Sequence, residues 1–489
     1  MQRGATVLAA LAFVLTVGWL VVYIRTVPFT GYETDGVYYM ISSRLLFTEQ
    51  FRPPTFGGGI GMPLLIRLVN AFVPNTFAAA KMVSMAAGLV FLVASIRVVG
   101  RLFGTGTGLV TGLLLLVNPF LLIYSTTSLS DMLAAAWLML ALWCLLKADR
   151  RMFLFLAALG LGFAWSTRSV YLVFWPLLIA PVFRQKHQDR RLIFSIALSA
   201  IAGLIIGSAY QAVVNWRFFG FPFYSDNWRN IAALVYGWDS MAQVHSARQM
   251  LMEKGPLLAF LWMKRFAIQI PEGLFHTTFW PFLFAAPGYF MTARSTERPL
   301  YYLWGLTTAA YLFLLAPVWR IELRYFLPVL PLVVASGVAM WQIISGQRRY
   351  VMAFGVLFAI VISLGAAVEN IQEMVASQAP EYREAGRFLS IHAQPGDIVL
   401  ATQPHIFFYA NLPGKMWGDL NSQTIDQIGP AVKSSGIDWV VFDSRRGGWQ
   451  FPQFSELLNP TSQAASIYGW TPAHRIDNSQ QLVIWRVHP

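Results

Sequence analysis

The sequence predicts a mostly α-helical polytopic membrane protein with a small α/β extracytoplasmic domain at its carboxyl end. Of its 489 residues 56% are hydrophobic and only 12% are charged, about half the charged share of a soluble domain. About eleven apolar runs fill residues 1–375 and predict transmembrane helices. After residue 375 short apolar segments alternate with helical patterns, which predicts a soluble α/β domain over residues 376–489.

The membrane part is expected to begin with a retained helix, because the first apolar run lacks a convincing small-residue cleavage site. Several later runs are shorter than the roughly 20 residues of a straight crossing. The predicted spans are residues 7–24, 77–99, 106–124, 131–146, 153–166, 170–183, 192–214, 277–291, 300–318, 325–344 and 351–368.

The positions of Lys and Arg predict the orientation. With a cytoplasmic N-terminus, basic clusters at Arg97, Lys147, Arg184, Arg294 and Arg348 all fall on one side, and the short loops opposite are poorer in basic residues. The positive-inside asymmetry assigns that side to the cytoplasm. A first outer loop (28–76), a long aromatic outer loop (215–276) and the tail are then expected on the outer face of the cell (inner) membrane.

Two classes of partner or site are disfavoured by composition. The formal net charge of +13 is spread among apolar spans, which favours cytoplasmic loops and anionic lipid headgroups over nucleic acid as its explanation. The single cysteine, Cys144, excludes an intrachain disulfide and a cysteine-based metal site.

The tail is expected to alternate helices and strands. Helices are predicted over residues 380–393 and 422–435, and strands over 397–401, 406–409, 438–443 and 481–487. No glycine-rich phosphate loop stands at a strand–helix junction, so no nucleotide site is predicted there.

Two acids are the candidate catalytic groups. Asp35 lies in a loop (29–39) that follows the first span, and Asp131 lies at the outer start of a later span. The predicted topology places both at one depth on one face, as an active-site pair requires. Two plainer interpretations remain open: a solvated loop for Asp35, and a helix N-cap for Asp131 with Ser128 and Ser130.

Four cations are predicted on the same face and could bind a phosphate: Arg324, Arg168, Lys81 and Arg320. Arg168 interrupts an apolar hairpin, so it is expected to have an anionic partner. For Arg320 and Lys81 the alternative is snorkelling to the interface, and Glu322 is then expected to pair with a neighbour.

Glu33 and Asp35 also have the spacing of an acidic pair that chelates a divalent metal such as Mg²⁺ or Mn²⁺. Such pairs are common in loops, and no motif requires a cofactor. The seven histidines are scattered without a close ligand spacing.

Several motifs together resemble membrane glycosyltransferases of the GT-C superfamily. The resemblance is closest to the protein O-mannosyltransferase and aminoarabinose-transferase branch, glycosyltransferase family 39 and its relatives. The matching segments are Asp35-Gly36-Val37-Tyr38-Tyr39, Lys81 to Ser84 with Gly88, Asn118-Pro119 with Ser128, Ser130 and Asp131, Gly162 to Arg168, and Arg324-Tyr325 with Pro328 and Pro331. Many relatives have Asp-Glu where this chain has Asp35-Gly36, and no matching lysine stands in residues 53–63.

The resemblance implies inverting transfer of a sugar from a polyprenyl-phosphate carrier to a lipid, glycan or protein on the outer face. Asp35 would be the base, Asp131 would orient the acceptor or Asp35, and the cations would take the phosphate. The competing hypothesis is a lipid-linked-sugar flippase or secondary transporter, whose usual marks are internal repeats and broken helices at mid-membrane. A third hypothesis, a membrane-anchored receptor, leaves the acidic loop without a role.

Overall fold

A computed structural model describes most of the chain from residue 34 onward. The described residues are 34–49, 51, 53, 59–148, 150–184, 190–225, 227–237, 246–278, 280–291, 298–318, 320–346, 349–376, 379–420, 424–477 and 480–488. They form two compact units. The membrane unit comprises residues 42–371, and the tail unit comprises residues 34–41 together with 372–488.

The membrane unit is built from helices. In chain order the α-helices are α1 (Thr34–Leu45, shared with the tail unit), α2 (Gly61–Asn70), α3 (Thr76–Phe103), α4 (Thr105–Leu116), α5 (Pro119–Tyr124), α6 (Ser130–Leu145), α7 (Arg151–Thr167), α8 (Ala180–Arg184), α9 (Arg190–Phe219), α10 (Asn227–Tyr236), α11 (Ala247–Ala267), α12 (Gln269–Thr278), α13 (Trp280–Met291), α14 (Arg298–Leu315), α15 (Leu330–Ser345) and α16 (Arg349–Ala376). Two 3₁₀ segments, Ser169–Ile179 and Leu323–Phe326, join α7 to α8 and precede α15.

Two helical stretches among the described residues, Thr76–Phe103 and Phe194–Phe219, are long and apolar enough to cross a membrane. Along the second, large apolar side chains lie exposed at helical spacing: Phe194, Leu198, Ile201 and Ile205. An apolar stripe exposed in this way is stable against lipid hydrocarbon but costly in water. The prediction of a mostly helical chain with a small carboxyl-terminal sheet is confirmed, and the count of eleven spans stays a prediction.

Several predicted segments differ from the structure. The predicted span 106–124 is two helices, because Asn118 caps α5 by accepting from the backbone N–H groups of Phe120 and Leu121. The predicted outer loop 215–276 is largely helical. Asp35, predicted in a loop, lies in the first turn of α1, where a carboxylate is stabilised by the helix dipole.

Helices α7 and α9 pack through glycines. A Cβ atom on Gly207 would lie 2.4 Å from the carbonyl oxygen of Leu159, and one on Gly162 would lie 2.9 Å from Gly207 Cα. Only residues without side chains allow two backbones to approach this closely, as at small-residue contacts between membrane helices. The approach lets Ser166 Oγ donate to the Gly207 carbonyl at 2.9 Å, which fixes the last turn of α7.

The tail unit is a five-stranded sheet with helices on both faces. Its remaining helices are α17 (Pro380–His392), α18 (Pro404–Ala410), α19 (Ile425–Ser434), α20 (Gly447–Gln450) and α21 (Gln463–Ile467). The strands are β1 (Val399–Ala401), β2 (Gly414–Met416), β3 (Trp439–Asp443), β4 (Thr471–Asp477) and β5 (Gln481–Arg486), in the order β2-β1-β3-β5-β4. β1 is parallel to β2 and β3, whereas β5 is antiparallel to β3 and β4.

The central strand β3 is buried on both faces. Trp439 and Val441 pack in one apolar cluster and Val440 and Phe442 in the other, as the period of two requires. The predicted strand 406–409 is wrong: these residues belong to α18, whose first turn contains Pro404. A short apolar run has no period that separates a buried helix from a strand, and Pro404 favours a helix start.

The contacts divide the chain at residue 371, near the predicted division at residue 375. They also group residues 34–41 with the tail, which the sequence analysis did not foresee. The candidate base Asp35 therefore belongs to the tail unit, whereas Asp131 and the four candidate phosphate ligands belong to the membrane unit.

Candidate active site

Arg168, the first candidate phosphate ligand, directly follows the end of α7. The helix stops at Thr167, and Arg168 has an extended backbone with φ −146° and ψ 116°. Gly59 donates its N–H to the Thr167 carbonyl at 3.0 Å, and a Cβ on Gly59 would lie 1.9 Å from the Ser166 carbonyl oxygen. The absence of a side chain at Gly59 therefore allows its backbone to pack directly on the turn from which the arginine projects.

Arg168 is held by Asp131. Its Nη2 donates to Asp131 Oδ1 at 2.5 Å, and the carboxylate residue is only 4% exposed. The expectation that Arg168 has an anionic partner is confirmed. The N-cap interpretation of Asp131 is wrong, because the N-cap residue of α6 is Leu129 and Asp131 lies inside the first turn.

A second arginine approaches the other oxygen of the same carboxylate. Arg324 lies in the 3₁₀ segment before α15, with Nε 3.7 Å from Asp131 Oδ2 and 2.7 Å from Glu322 Oε2. The expectation that Glu322 pairs with a neighbour is confirmed, and the neighbour is Arg324. Among the described residues Asp131 Oδ2 accepts no hydrogen bond, although it is buried.

Tyr325 lies against both guanidinium groups. The Cζ atoms of Arg168 and Arg324 are 5.3 Å and 5.4 Å from the centre of its ring, within cation–π range. The Tyr325 carbonyl accepts a hydrogen bond from Tyr311 at 2.8 Å, which ties the 3₁₀ segment to α14. Sequence reasoning named Tyr325 only as part of a motif with Arg324 and missed Tyr311, because the chain holds 18 tyrosines and most suit an interfacial aromatic belt.

The arginine cluster, defined as Arg168, Arg324, Asp131 and Glu322, pairs two positive with two negative charges. Asp131 and Arg324 are buried, so their interaction is screened less than a surface pair would be. The Glu322 side chain is 33% exposed, which makes it the carboxylate of the cluster most accessible to solvent.

The other two predicted phosphate ligands are Lys81 and Arg320. Lys81 is buried on α3, with Nζ 4.8 Å above the Phe77 ring. Arg320 is exposed, before the 3₁₀ segment that carries Arg324. The structure thus brings Arg168, Arg324 and Asp131 together, whereas Lys81 and Arg320 stay predicted phosphate ligands.

In the tail unit Asp35 is exposed in the first turn of α1, while Val37 two residues later is fully buried. Glu33, its predicted partner in a metal site, lies outside the described residues. Within the described ranges no group of three His, Cys, Asp or Glu side chains is placed to hold a metal ion. The metal remains a prediction.

Comparison with known proteins bears on the fold and class of this chain. Residues 58–210 match the family described as dolichyl-phosphate-mannose-protein mannosyltransferase. This range includes Lys81, Asp131 and Arg168 but not Asp35 or Arg324. No curated protein sequence matches the chain.

The fold is similar to that of ArnT from Cupriavidus metallidurans. Its apo crystal structure has a TM-score of 0.65 at 15% identity, covering 98% of each chain, and its undecaprenyl phosphate complex has 0.64 at 14%. The oligosaccharyltransferase AglB from Archaeoglobus fulgidus, in complex with an inhibitory peptide and a dolichol-phosphate, matches at 0.55 and 11%, covering 90% of this chain and 69% of AglB.

A further structure, the mycobacterial arabinofuranosyltransferase AftD, matches with a TM-score of 0.51 at 12% identity over all of this chain and 42% of its own. Identities this low show the fold alone. The fold agrees with the resemblance to GT-C glycosyltransferases, and the family match over residues 58–210 bears out the prediction of a glycosyltransferase.

Proposed function

We propose that this chain transfers a sugar from a polyprenyl phosphate to an acceptor. The proposal rests on the GT-C fold and on the match of residues 58–210 to a lipid-phosphate-dependent mannosyltransferase family. The transfer takes place on the outer face of the cell membrane, with the N-terminus in the cytoplasm and the tail unit outside. The observation that carries the proposal is the partly buried arginine cluster, in which the guanidinium groups of Arg168 and Arg324 both lie beside the Asp131 carboxylate.

The cluster is suited to a phosphate. Arg324 pairs with the partly exposed Glu322, so a phosphate oxygen can replace that carboxylate without leaving the guanidinium unpaired. Asp131 keeps Arg168 in place through a partly buried bond. Arg and phosphate form charge-assisted, often bidentate hydrogen bonds, which stabilise the charge that develops on a leaving phosphate. Lys81 and Arg320 are the further proposed phosphate ligands.

The reaction is a single in-line displacement. The acceptor hydroxyl or amine attacks the anomeric carbon, the bond from that carbon to the phosphate oxygen breaks, and polyprenyl phosphate leaves with the electron pair. Asp35 accepts the proton of the acceptor, for which an exposed carboxylate is suited. One displacement inverts the anomeric configuration. Glu33 and Asp35 are the residues that would hold Mg²⁺ or Mn²⁺ if the reaction uses a divalent metal.

The test uses the full chain in liposomes with a panel of undecaprenyl-phosphate hexoses and pentoses, and membrane extract as the source of acceptor. We expect release of undecaprenyl phosphate and gain of the sugar mass on an acceptor. Asp35→Asn should lower kcat by roughly 10²- to 10⁴-fold, the usual contribution of a general base. The matched control is Asp426→Asn, another exposed acid in the first turn of a helix, which should leave kcat unchanged.

The rival hypothesis gives the opposite result. A flippase or transporter would move the lipid-linked sugar across the bilayer, or exchange it in counterflow, without cleaving the sugar–phosphate bond. Movement without product, equal in the parent and in Asp35→Asn, would reject the transferase.

A further inference from the structure

The first turn of α1 is attached to the carboxyl edge of the tail sheet. Thr34 Oγ1 donates to the side-chain oxygen of Gln403 at 3.0 Å, and Gln403 is only 4% exposed. Gln403 follows the last residue of β1, Ala401, by two positions. Thr34 is the neighbour of Asp35 in sequence, so this bond fixes the backbone from which the candidate base projects.

A second contact lies on the same face of the helix. Ile41, seven residues after Thr34, packs against the apolar cluster that includes Tyr382 and Leu389 of α17. Residues at positions i, i+3 and i+7 share a helix face, and Val37 between these two is fully buried. Asp35 stands about 100° around the helix from Thr34. One face of α1 therefore packs on the domain while Asp35 is left exposed.

The edge that receives α1 is itself rigidly bonded. Asp443, at the end of β3, is fully buried and accepts hydrogen bonds from Thr402 Oγ1, from Tyr382 Oη at 3.2 Å and from the Arg446 N–H at 2.7 Å. Thr402 directly precedes Gln403. The network thus joins the ends of the two parallel strands β1 and β3, the place where open α/β sheets present functional groups.

A second ion pair reinforces this edge. Arg445 Nε lies 2.7 Å from Glu381 Oε1, and the Glu381 side chain is fully buried in the first turn of α17. Asp443 and Glu381 are buried carboxylates whose removal would leave donors or charges uncompensated, which is costly. Such a network holds its members in one arrangement more firmly than an apolar contact of similar size does.

We propose that the tail unit is a positioning device for the reaction: Gln403, held by the Asp443 network, fixes Thr34 and thereby the orientation of the Asp35 carboxylate. This rests on the proposed role of Asp35 as the base. Thr34 and Gln403 are positioning residues, because they act on the reaction only through Asp35. A base misplaced by about 1 Å can lower the rate a hundredfold, so loss of this single hydrogen bond is expected to lower kcat.

The experiment compares Thr34→Val, which keeps the shape but removes the donor, with Thr34→Ser, which keeps the hydroxyl. Both are made in the full chain and assayed with the donor of the undecaprenyl-phosphate panel that gives the highest turnover. We expect Thr34→Val to lower kcat roughly ten- to a hundredfold. The KM for the donor and the Kd of undecaprenyl phosphate should change less than about twofold, and Thr34→Ser should keep near-parental kcat.

Gln403→Leu tests the other side of the bond. It should reproduce the loss in kcat, and the double variant with Thr34→Val should be no slower than either single variant, because both remove one contact. Gln403→Glu, which keeps an acceptor oxygen, should retain turnover. If Thr34→Val does not fold, the comparison of Gln403→Leu with Gln403→Glu tests the same bond. In an Asp35→Asn background none of these changes should lower the rate further.

Two results would overturn the proposal. Parental kcat in both Thr34→Val and Gln403→Leu would show that the bond does not position the base. Equal loss in Thr34→Val and Thr34→Ser, together with a lowered Tm, would show a merely structural role. A parental rate in Asp35→Asn would instead reject the proposed function itself, so the two failures are distinguishable.

Discussion

At the scale of single residues, the two oxygens of Asp131 have different surroundings. Oδ1 accepts a 2.5 Å bond from Arg168, whereas Oδ2 has Arg324 Nε at 3.7 Å. A buried carboxylate shared in this way orients one guanidinium and attracts a second. This arrangement favours Asp131 as the residue that holds the proposed phosphate ligands in position, and Asp35 remains the proposed base.

A double-mutant cycle tests the coupling between Asp131 and Arg168. Asp131→Asn and Arg168→Gln should each destabilise the chain, because each leaves a buried polar group without its charged partner. Their free energies of unfolding in detergent should be non-additive by about 1–3 kcal/mol. The same cycle on Arg475 and Asp477, an exposed pair with a 2.7 Å contact, should give less than about 1 kcal/mol. Additive effects at the buried pair would contradict the assignment.

At the scale of elements, the arginine cluster depends on how closely α7 approaches α9. The approach rests on Gly162, Gly203 and Gly207, where a Cβ atom would overlap the opposite helix. Ser166 at the end of α7 is bonded to Gly207, and Arg168 follows two residues later. Separation of these helices would therefore move the backbone from which the Arg168 side chain projects.

Gly207→Ala is expected to force α7 and α9 apart. The added Cβ would lie 2.4 Å from a backbone oxygen, which cannot move aside as a flexible side chain can. Overpacking of this kind costs typically about 1–3 kcal/mol, and the Kd of undecaprenyl phosphate should rise with it. Gly255→Ala in α11 is the control, since no atom lies within 4 Å of a Cβ there. Unchanged stability and binding in Gly207→Ala would contradict the packing argument.

At the scale of the whole molecule, the chain combines a helical membrane unit with an α/β tail unit that also includes the first turn of α1. The tail has the composition and core of a soluble domain, with two apolar clusters on either side of its sheet. Its interior holds His405, which is stacked on Tyr382 with ring centres 5.8 Å apart. That histidine makes the stability of the tail sensitive to acid.

Burial, with the nearby positive Arg446, lowers the pKa of His405 to about 3 in the folded tail. The ordinary pKa is 6.5, so below pH 6.5 the unfolded chain binds a proton that the folded chain does not. The free energy of unfolding should therefore fall by roughly 1 kcal/mol per pH unit as the pH drops from 6.5 towards 3. Burial raises the pKa of Asp443, which opposes this loss at the acidic end, since the folded state there gains a proton more readily.

Hydrogen exchange of β3 in the full chain measures this dependence between pH 7 and pH 4. In His405→Asn the free energy of unfolding should no longer fall as the pH drops. In His392→Asn, a change at an exposed position, it should fall as it does in the parent. A parental slope in His405→Asn would reject the assignment to this histidine.

Much of the architecture follows from one-dimensional patterns. The apolar runs predicted a helical membrane protein, and the change in composition near residue 375 predicted a separate tail. In the tail the helix over 380–393 and the strands over 397–401, 438–443 and 481–487 were found within a few residues of their predicted bounds. The short strand β2 and the exposed strand β4 were missed, because neither has a buried apolar period.

The sequence by itself determined the class of protein, the helical membrane part, and the residue types that suit a lipid phosphate, since these depend on composition and on motifs that are local in the chain. Only the tertiary structure decided that Asp131 binds Arg168 and lies near Arg324, and that Asp35 belongs with the tail. Those contacts join residues between 37 and several hundred positions apart. Local propensity carries no information about such pairs, because they depend on how helices and strands pack in three dimensions.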